Sequence, residues 1–262
     1  MAPHDVQGSL LAQSWVQAGR LLTRWRRDRA VLMGSLVFPI CLLLAYEVVL
    51  DQQVHRVTGV ASVYGLVPVC SVLSALFGSL GSAVGIAVER ETRLLTRFWV
   101  LPVHRASALT GRLTAEAARA LLGTLLITAI GMLLGLRFAH GWLAALVYIL
   151  VPSVLAVGFT AVAMSLAIRN NGRIVMTWLA TATVSLAFIN PGTTPIGMFP
   201  DWLRPFVRIQ PMSPPIQAMW ALAHDGPIVW PLTMTLLWAI VLLAVFMPIA
   251  VRGYRAAAES SA

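Results

Sequence analysis

The chain has 262 residues, 58% hydrophobic and 11% charged, with a formal net charge of +9 and a mean hydropathy of +0.81. Soluble domains carry about 25% charged residues, so this composition excludes an ordinary soluble enzyme, a disordered chain and a disulfide scaffold. It requires an all-α polytopic membrane protein. All 19 basic residues are arginine. A Walker-type phosphate loop, a Schiff base and a pyridoxal site each need lysine, so none of them belongs to this chain. Any ATP, Mg or cofactor that drives the protein is therefore expected on another chain. Nucleic acid is excluded as a partner because the arginines fall in short clusters between apolar runs, not on one basic face. Cys41 and Cys70 lie inside apolar runs and read as packing residues.

The first element predicted is an amphipathic helix in the N-terminal segment 1–30. Leu11, Trp15, Ala18, Leu22 and Trp25 share one helical face, and Gln13, Gln17, Arg20, Arg24 and Arg27 share the other. Such a helix lies in the cytoplasmic interface, with Trp15, Leu22 and Trp25 in the headgroup layer and Arg20 toward anionic lipid or a partner. No cleavable signal is expected, because the first apolar run begins only at Val31 and lacks a small-residue cleavage pattern.

Crossing a hydrocarbon layer of ~30 Å takes about 20 mostly apolar residues. Six stretches qualify within a permease domain at 31–251: Val31 to Leu50, Tyr64 to Val88, Ala117 to Leu136, Trp142 to Ile168, the short Ile174 to Ile189, and Ile228 to Val251. With the N-terminus inside, 15 of the 19 arginines fall in cytoplasmic segments and only Arg56, Arg137, Arg204 and Arg208 fall outside. Basic residues favour cytoplasmic loops, so both termini, including the tail 252–262, are expected in the cytoplasm.

Three features inside the spans are candidates for a substrate pathway. Glu47 lies in the last turn of the first span, where an ionisable group is a functional hypothesis by default. Its position at the boundary also lets it reach the headgroups. The second span carries Ser74, Gly78 and Ser82 at four-residue spacing, small residues that let helices approach closely. The fifth span sets Thr177, Thr181 and Ser185 on one face, suited to lining a cavity or to bonding a neighbouring helix.

Between the second and third spans runs Glu89-Arg90-Glu91-Thr92-Arg93-Leu94-Leu95-Thr96-Arg97-Phe98-Trp99-Val100-Leu101-Pro102-Val103-His104-Arg105, within a predicted cytoplasmic loop at 89–116. Charges come first, then an apolar patch with arginines, then a proline. Between the fifth and sixth spans, the segment 190–227 holds two apolar pieces too short to cross, Trp202 to Ile209 and Ile216 to Ala223, among prolines that include Pro205 and Pro211. Irregular backbone at membrane depth is tolerated only against protein or water, so this outer segment, with Trp202 and Phe206, is expected to pack on the bundle top and shape an exit.

Together these two motifs resemble the ABC exporter permeases of the daunorubicin-resistance type, and the resemblance covers essentially the whole chain. The first resembles the family's Glu-rich opening, short helix and Pro-x-x-Arg ending, with Arg93 where a glycine is usual. The second resembles an outer segment of two short re-entrant helices, with Trp220 where arginine is common. The resemblance implies a transport subunit of a drug or lipid exporter, with the look of an actinobacterial one. It also implies a second permease, identical or homologous, and two copies of a separate ABC ATPase carrying ATP and Mg. Glu89, Arg90, Glu91, Arg97, Phe98, Pro102 and Arg105, with the N-terminal helix, would then form the ATPase docking surface. Apart from the resemblance, the same charges read as a solvated helix end.

Other classes fare worse on the residues. A membrane-embedded lipid-modifying enzyme needs a reactive constellation, yet His4, His55, His104, His140 and His224 are scattered over loops on both sides without an H-E-x-x-H pattern. No metal site and no catalytic residue is therefore expected. A channel would show an acidic ring or filter-like loop, and a secondary transporter would hold coupling ions on charges at the midplane. Neither pattern is present. Spans with almost no charge suit a hydrophobic or amphipathic cargo, such as an anthracycline-like drug or a long-chain envelope lipid.

Overall fold

The computed structural model describes the backbone of residues 33–58, 61–91, 105–168 and 171–259 with Gly19 and Thr23, and the side chains of 33–49, 61–88, 110–168 and 171–253. Among the described residues there are helices and turns and no strand. A π-helical stretch at Met33–Val37 leads into α1 (Phe38–Thr58). Then come α2 (Val63–Glu91), α3 (Arg105–Leu133), α4 (Gly141–Ala167) and α5 (Gly172–Phe188). A 3-10 turn at Ile196–Met198 precedes the short helices α6 (Arg204–Ile209) and α7 (Ser213–Ala223), and α8 (Val229–Glu259) closes the described chain.

Among the described residues, four stretches are long and apolar enough to cross a membrane: Val63–Val88, Thr110–Leu133, Gly141–Ala167 and Val229–Gly253. Met33–Val49 and Gly172–Phe188 are apolar but shorter. At 1.5 Å per residue, Gly172–Phe188 reaches about 25 Å, less than the ~30 Å of hydrocarbon, and corresponds to the fifth span, the one expected to be short. The first span opens with a π turn that periodicity cannot reveal and continues as helical backbone to Thr58.

The helices form because every long apolar run here satisfies its own backbone, but burial sorts them sharply. In the most apolar window of α2, 83% is buried inside the chain, against 17% for α8. α2 is therefore the central helix, touching α1, α3, α4, α5 and α7, while α8 lies along α4 and α7 at the periphery. One apolar cluster gathers Leu43, Val67, Cys70, Ile127, Tyr148, Leu155 and Met219 toward one end. A second gathers Leu80, Ile86, Met164, Ile168, Met176 and Ala250 toward the other. Between them Ala75, Ala120 and Ala156 make a narrow waist of three small side chains from α2, α3 and α4.

Helical backbone occupies both ends of the expected loop 89–116, because α2 runs on through Glu91 and α3 begins at Arg105. In the outer segment, α7 is buried along most of its length against α2, α4 and α8, whereas α6 leaves Phe206 and Ile209 exposed. Gln210 joins the pieces. Its Nε2 donates to the Ile189 carbonyl and to Ser213 Oγ, and Asn190 Oδ1 accepts from the Gly192 amide at 2.8 Å.

Candidate functional site

The arginine count groups Arg119 with the cytoplasmic segments; in the structure its side chain is buried inside the bundle. At 1.5 Å per residue it lies about 13 Å along the axis from Thr110, within the apolar stretch of α3. Its Nε donates to Glu116 Oε2 at 2.8 Å, and the two side chains are 2% and 7% exposed. Nη1 donates to the Ser74 carbonyl at 3.3 Å and Nη2 to the Ala75 carbonyl at 2.9 Å, both on α2. Gly78 makes the room, since a Cβ there would stand 1.5 Å from the guanidinium carbon. A charge at this depth is expensive unless paired and bonded, and each of these contacts offsets part of that cost.

The pair sits in a polar layer that ties four elements together at the alanine waist. Ser79 Oγ donates to the Ala75 carbonyl at 3.1 Å, and Thr160 Oγ1 on α4 donates to Ser79 Oγ at 2.9 Å. Ser74 Oγ donates to the Ser35 carbonyl in the π turn. Nearer the start of α3, Arg112 Nη1 reaches the Ser82 carbonyl at 3.5 Å. Arginines of α3 thus hold carbonyls of α2 at two levels. On the other side of the waist, the hydroxyls of Ser71, Thr124, Thr128 and Tyr148 are buried with no hydrogen-bond partner among the described residues. The hydrogen bonds of the layer fix helices against one another.

The residues singled out in the sequence fall in several places. Ser74 and Gly78 belong to this layer: the Ser74 side chain packs against Gly123 of α3 and the Ser35 carbonyl, whereas the neighbour of Gly78 is the Arg119 guanidinium. Glu47 is half-buried in α1 and accepts from Ser62 Oγ at 2.6 Å, just ahead of α2. Thr177, Thr181 and Ser185 share one exposed face of α5, and each hydroxyl donates to the carbonyl four residues before it, at 3.0–3.1 Å. Trp202 and Phe206 are exposed, Pro205 starts α6 and Pro211 lies between α6 and α7. Glu89, Arg90 and Glu91 fall in the last turn of α2 and Arg105 in the first of α3, with their side chains outside the described residues. Trp15, Arg20, Leu22, Trp25, Arg97, Phe98 and Pro102 lie outside the described residues altogether.

Sequence reasoning missed Glu116 and Arg119 as a site. The signal was their spacing, since residues three apart share a helix face, and Arg112 continues the same row. Among the described residues, no three His, Cys, Asp or Glu side chains come together as a set that would hold a metal ion.

Comparison with known proteins places this geometry. Residues 51–251 match the family described as ABC-2 family transporter protein. The chain is 35% identical, over 98% of its length and 95% of the relative's, to a probable doxorubicin resistance ABC transporter permease protein, DrrC, of Mycobacterium tuberculosis. It is 26% identical, over 80% of its length and 77% of the relative's, to the doxorubicin resistance permease DrrB of the same organism. To the daunorubicin resistance ABC transporter permease DrrB1 of Streptomyces coeruleorubidus it is 24% identical, over 72% of its length and 67% of the relative's.

Proposed function

We propose, from the premise that the chain belongs to the ABC-2 transporter family as an ABC transporter permease, that it is the membrane subunit of an ATP-driven exporter. Its cargo is hydrophobic or amphipathic, an anthracycline-like drug or a long-chain envelope lipid. The observation that carries this reading is the near end-to-end likeness to a doxorubicin resistance permease. The chemistry agrees with it: a chain without lysine has no phosphate loop of its own, so the energy of ATP enters through a partner.

In this reading the four long helices and the two short apolar ones all cross the bacterial inner membrane, with both termini cytoplasmic. The short helices α6 and α7 dip into the outer leaflet. A second permease, identical or homologous, completes the pathway. Two ABC ATPase subunits dock from the cytoplasm at the Glu89 to Arg105 segment and the N-terminal amphipathic helix. Exposed aromatic side chains at Trp142, Trp202 and Trp230 would then lie in the outer interfacial belt, where such rings concentrate.

The test is to tag the chain, extract it gently from its native membrane and identify what copurifies by mass spectrometry. An ABC ATPase in near-equal amount is expected, with a homologous permease or with this chain alone. A complex that transports or modifies lipid with no ATPase present would overturn the reading.

A further inference from the structure

We infer that Arg119 is the positioning residue that makes α2 and α3 one rigid body, so that a push at the segment joining them moves the central helix as a whole. The inference rests on the exporter reading above. In a membrane no hydrophobic force drives one helix onto another, so register is held by close packing of small residues and by interhelical hydrogen bonds. Both devices converge at one point here. The guanidinium spans two consecutive carbonyls of α2, those of Ser74 and Ala75, and it lies in a space that Gly78 leaves open.

Sliding α3 by even one residue, about 1.5 Å, takes the guanidinium out of that space and breaks both carbonyl bonds while leaving the charge buried. Glu116 holds Nε at 2.8 Å and so fixes the plane of the fork without itself reaching α2. Arg112 repeats the attachment at the Ser82 carbonyl. The described part of α2 ends at Glu91 and that of α3 begins at Arg105, so any force applied to the chain between those residues acts on both members of the welded pair. Since α2 is the most buried of the four long helices, moving it displaces the core of the bundle.

A cross-link tests the register directly. A Cβ at Gly123 would stand 3.9 Å from Ser74 Cβ, within the range a disulfide accepts. In the assembled complex carrying Cys41→Ser and Cys70→Ser, the pair Ser74→Cys and Gly123→Cys is oxidised without nucleotide and after trapping with ATP and vanadate. Equal cross-linking in both states is expected, and the cross-linked complex should hydrolyse ATP and accumulate doxorubicin in inverted vesicles like the reduced one. Loss of cross-linking in either state, or arrest of turnover by the bond, overturns the inference.

The double variant Glu116→Leu with Arg119→Met supplies the second readout, because it removes both charges together and so avoids stranding one. Doxorubicin moved per ATP hydrolysed should fall at least tenfold while assembly persists. Adding Ser74→Cys with Gly123→Cys in that background and oxidising the pair should restore the ratio; an unchanged ratio in the double variant would make the buried pair merely structural. If the unsubstituted complex contains no ATPase, the exporter reading itself fails, a result distinct from either outcome.

Discussion

The backbone of Gly65 in α2 lies against the carbonyl of Gly192, so near that a Cβ at residue 65 would stand 1.9 Å from that oxygen. This contact fastens the outer segment after α5 to the central helix, and the obstruction is backbone, which cannot swing away as a flexible side chain would. Gly65→Ala should therefore displace the segment that Asn190 and Gln210 organise, at a cost of about 1–3 kcal/mol by overpacking. The measurement is the thermal unfolding midpoint of the detergent-solubilised protein. A midpoint equal to that of the unsubstituted chain would show that the segment is not seated on α2 as described.

Removing one member of the buried pair should cost more than removing both. Arg119→Met leaves Glu116 as an uncompensated charge in the bundle, and breaking such a pair costs about 3–5 kcal/mol. Glu116→Leu together with Arg119→Met leaves no stranded charge and should recover most of that loss. Unfolding of the single and double variants, compared as a cycle, reads the non-additivity. Additive single-variant losses would mean that the two side chains do not act as a unit.

Why this pair escaped the sequence while the helices did not has a physical reason. Apolar runs announce spans by length, and the ends of α4 and α5 fall within two residues of the expected ones. The polar layer is built instead from relationships across helices: Arg119 to the carbonyls of Ser74 and Ala75, and Ser79 to Thr160. A backbone carbonyl has no letter in the sequence, so its use as an acceptor is invisible there. Charge counting also works against the pair, since it treats an arginine near a span boundary as a topological signal. Small residues at Ser74 and Gly78 did announce a close approach, but not what approaches. The face of Thr177, Thr181 and Ser185 was legible as a face, whereas its outward direction depends on where α2 and α4 lie.

Glu47 accepts a hydrogen bond from Ser62, which gives it a structural role at the junction of α1 and α2. Glu47→Gln keeps an acceptor oxygen of the same reach, so on the proposed exporter reading the rate of cargo export and its concentration dependence should stay within about twofold of the unsubstituted protein. Glu47→Leu removes the acceptor and should lower stability by about 1 kcal/mol, the net worth of such a bond. A changed cargo profile in Glu47→Gln at unchanged stability would instead place the carboxylate in contact with cargo.

The hydroxyls of Thr177, Thr181 and Ser185 bond their own helix and face outward. Replacing all three by alanine should leave the isolated chain as stable as before, to within about 0.5 kcal/mol per site, as for other exposed positions. Thermal unfolding of the isolated chain checks this. A large loss would mean that the face is packed against the rest of the chain, contrary to the arrangement described.

Glu89 and Glu91 occupy the last turn of α2, where the negative end of the helix dipole disfavours carboxylates by about 0.3–1 kcal/mol each. Reversing both to arginine therefore improves the match between charge and dipole, and it leaves the helix no weaker. If these carboxylates dock the ATPase, Glu89→Arg with Glu91→Arg should still give a folded, membrane-inserted permease but reduce the copurifying ATPase at least tenfold and abolish ATP-driven export. The two readouts are unfolding of the permease alone and the ATPase-to-permease ratio after affinity capture. Because the reversal favours the helix end, a lost ATPase cannot be traced to an unravelled α2, and a retained ATPase with intact export would remove these residues from the docking surface.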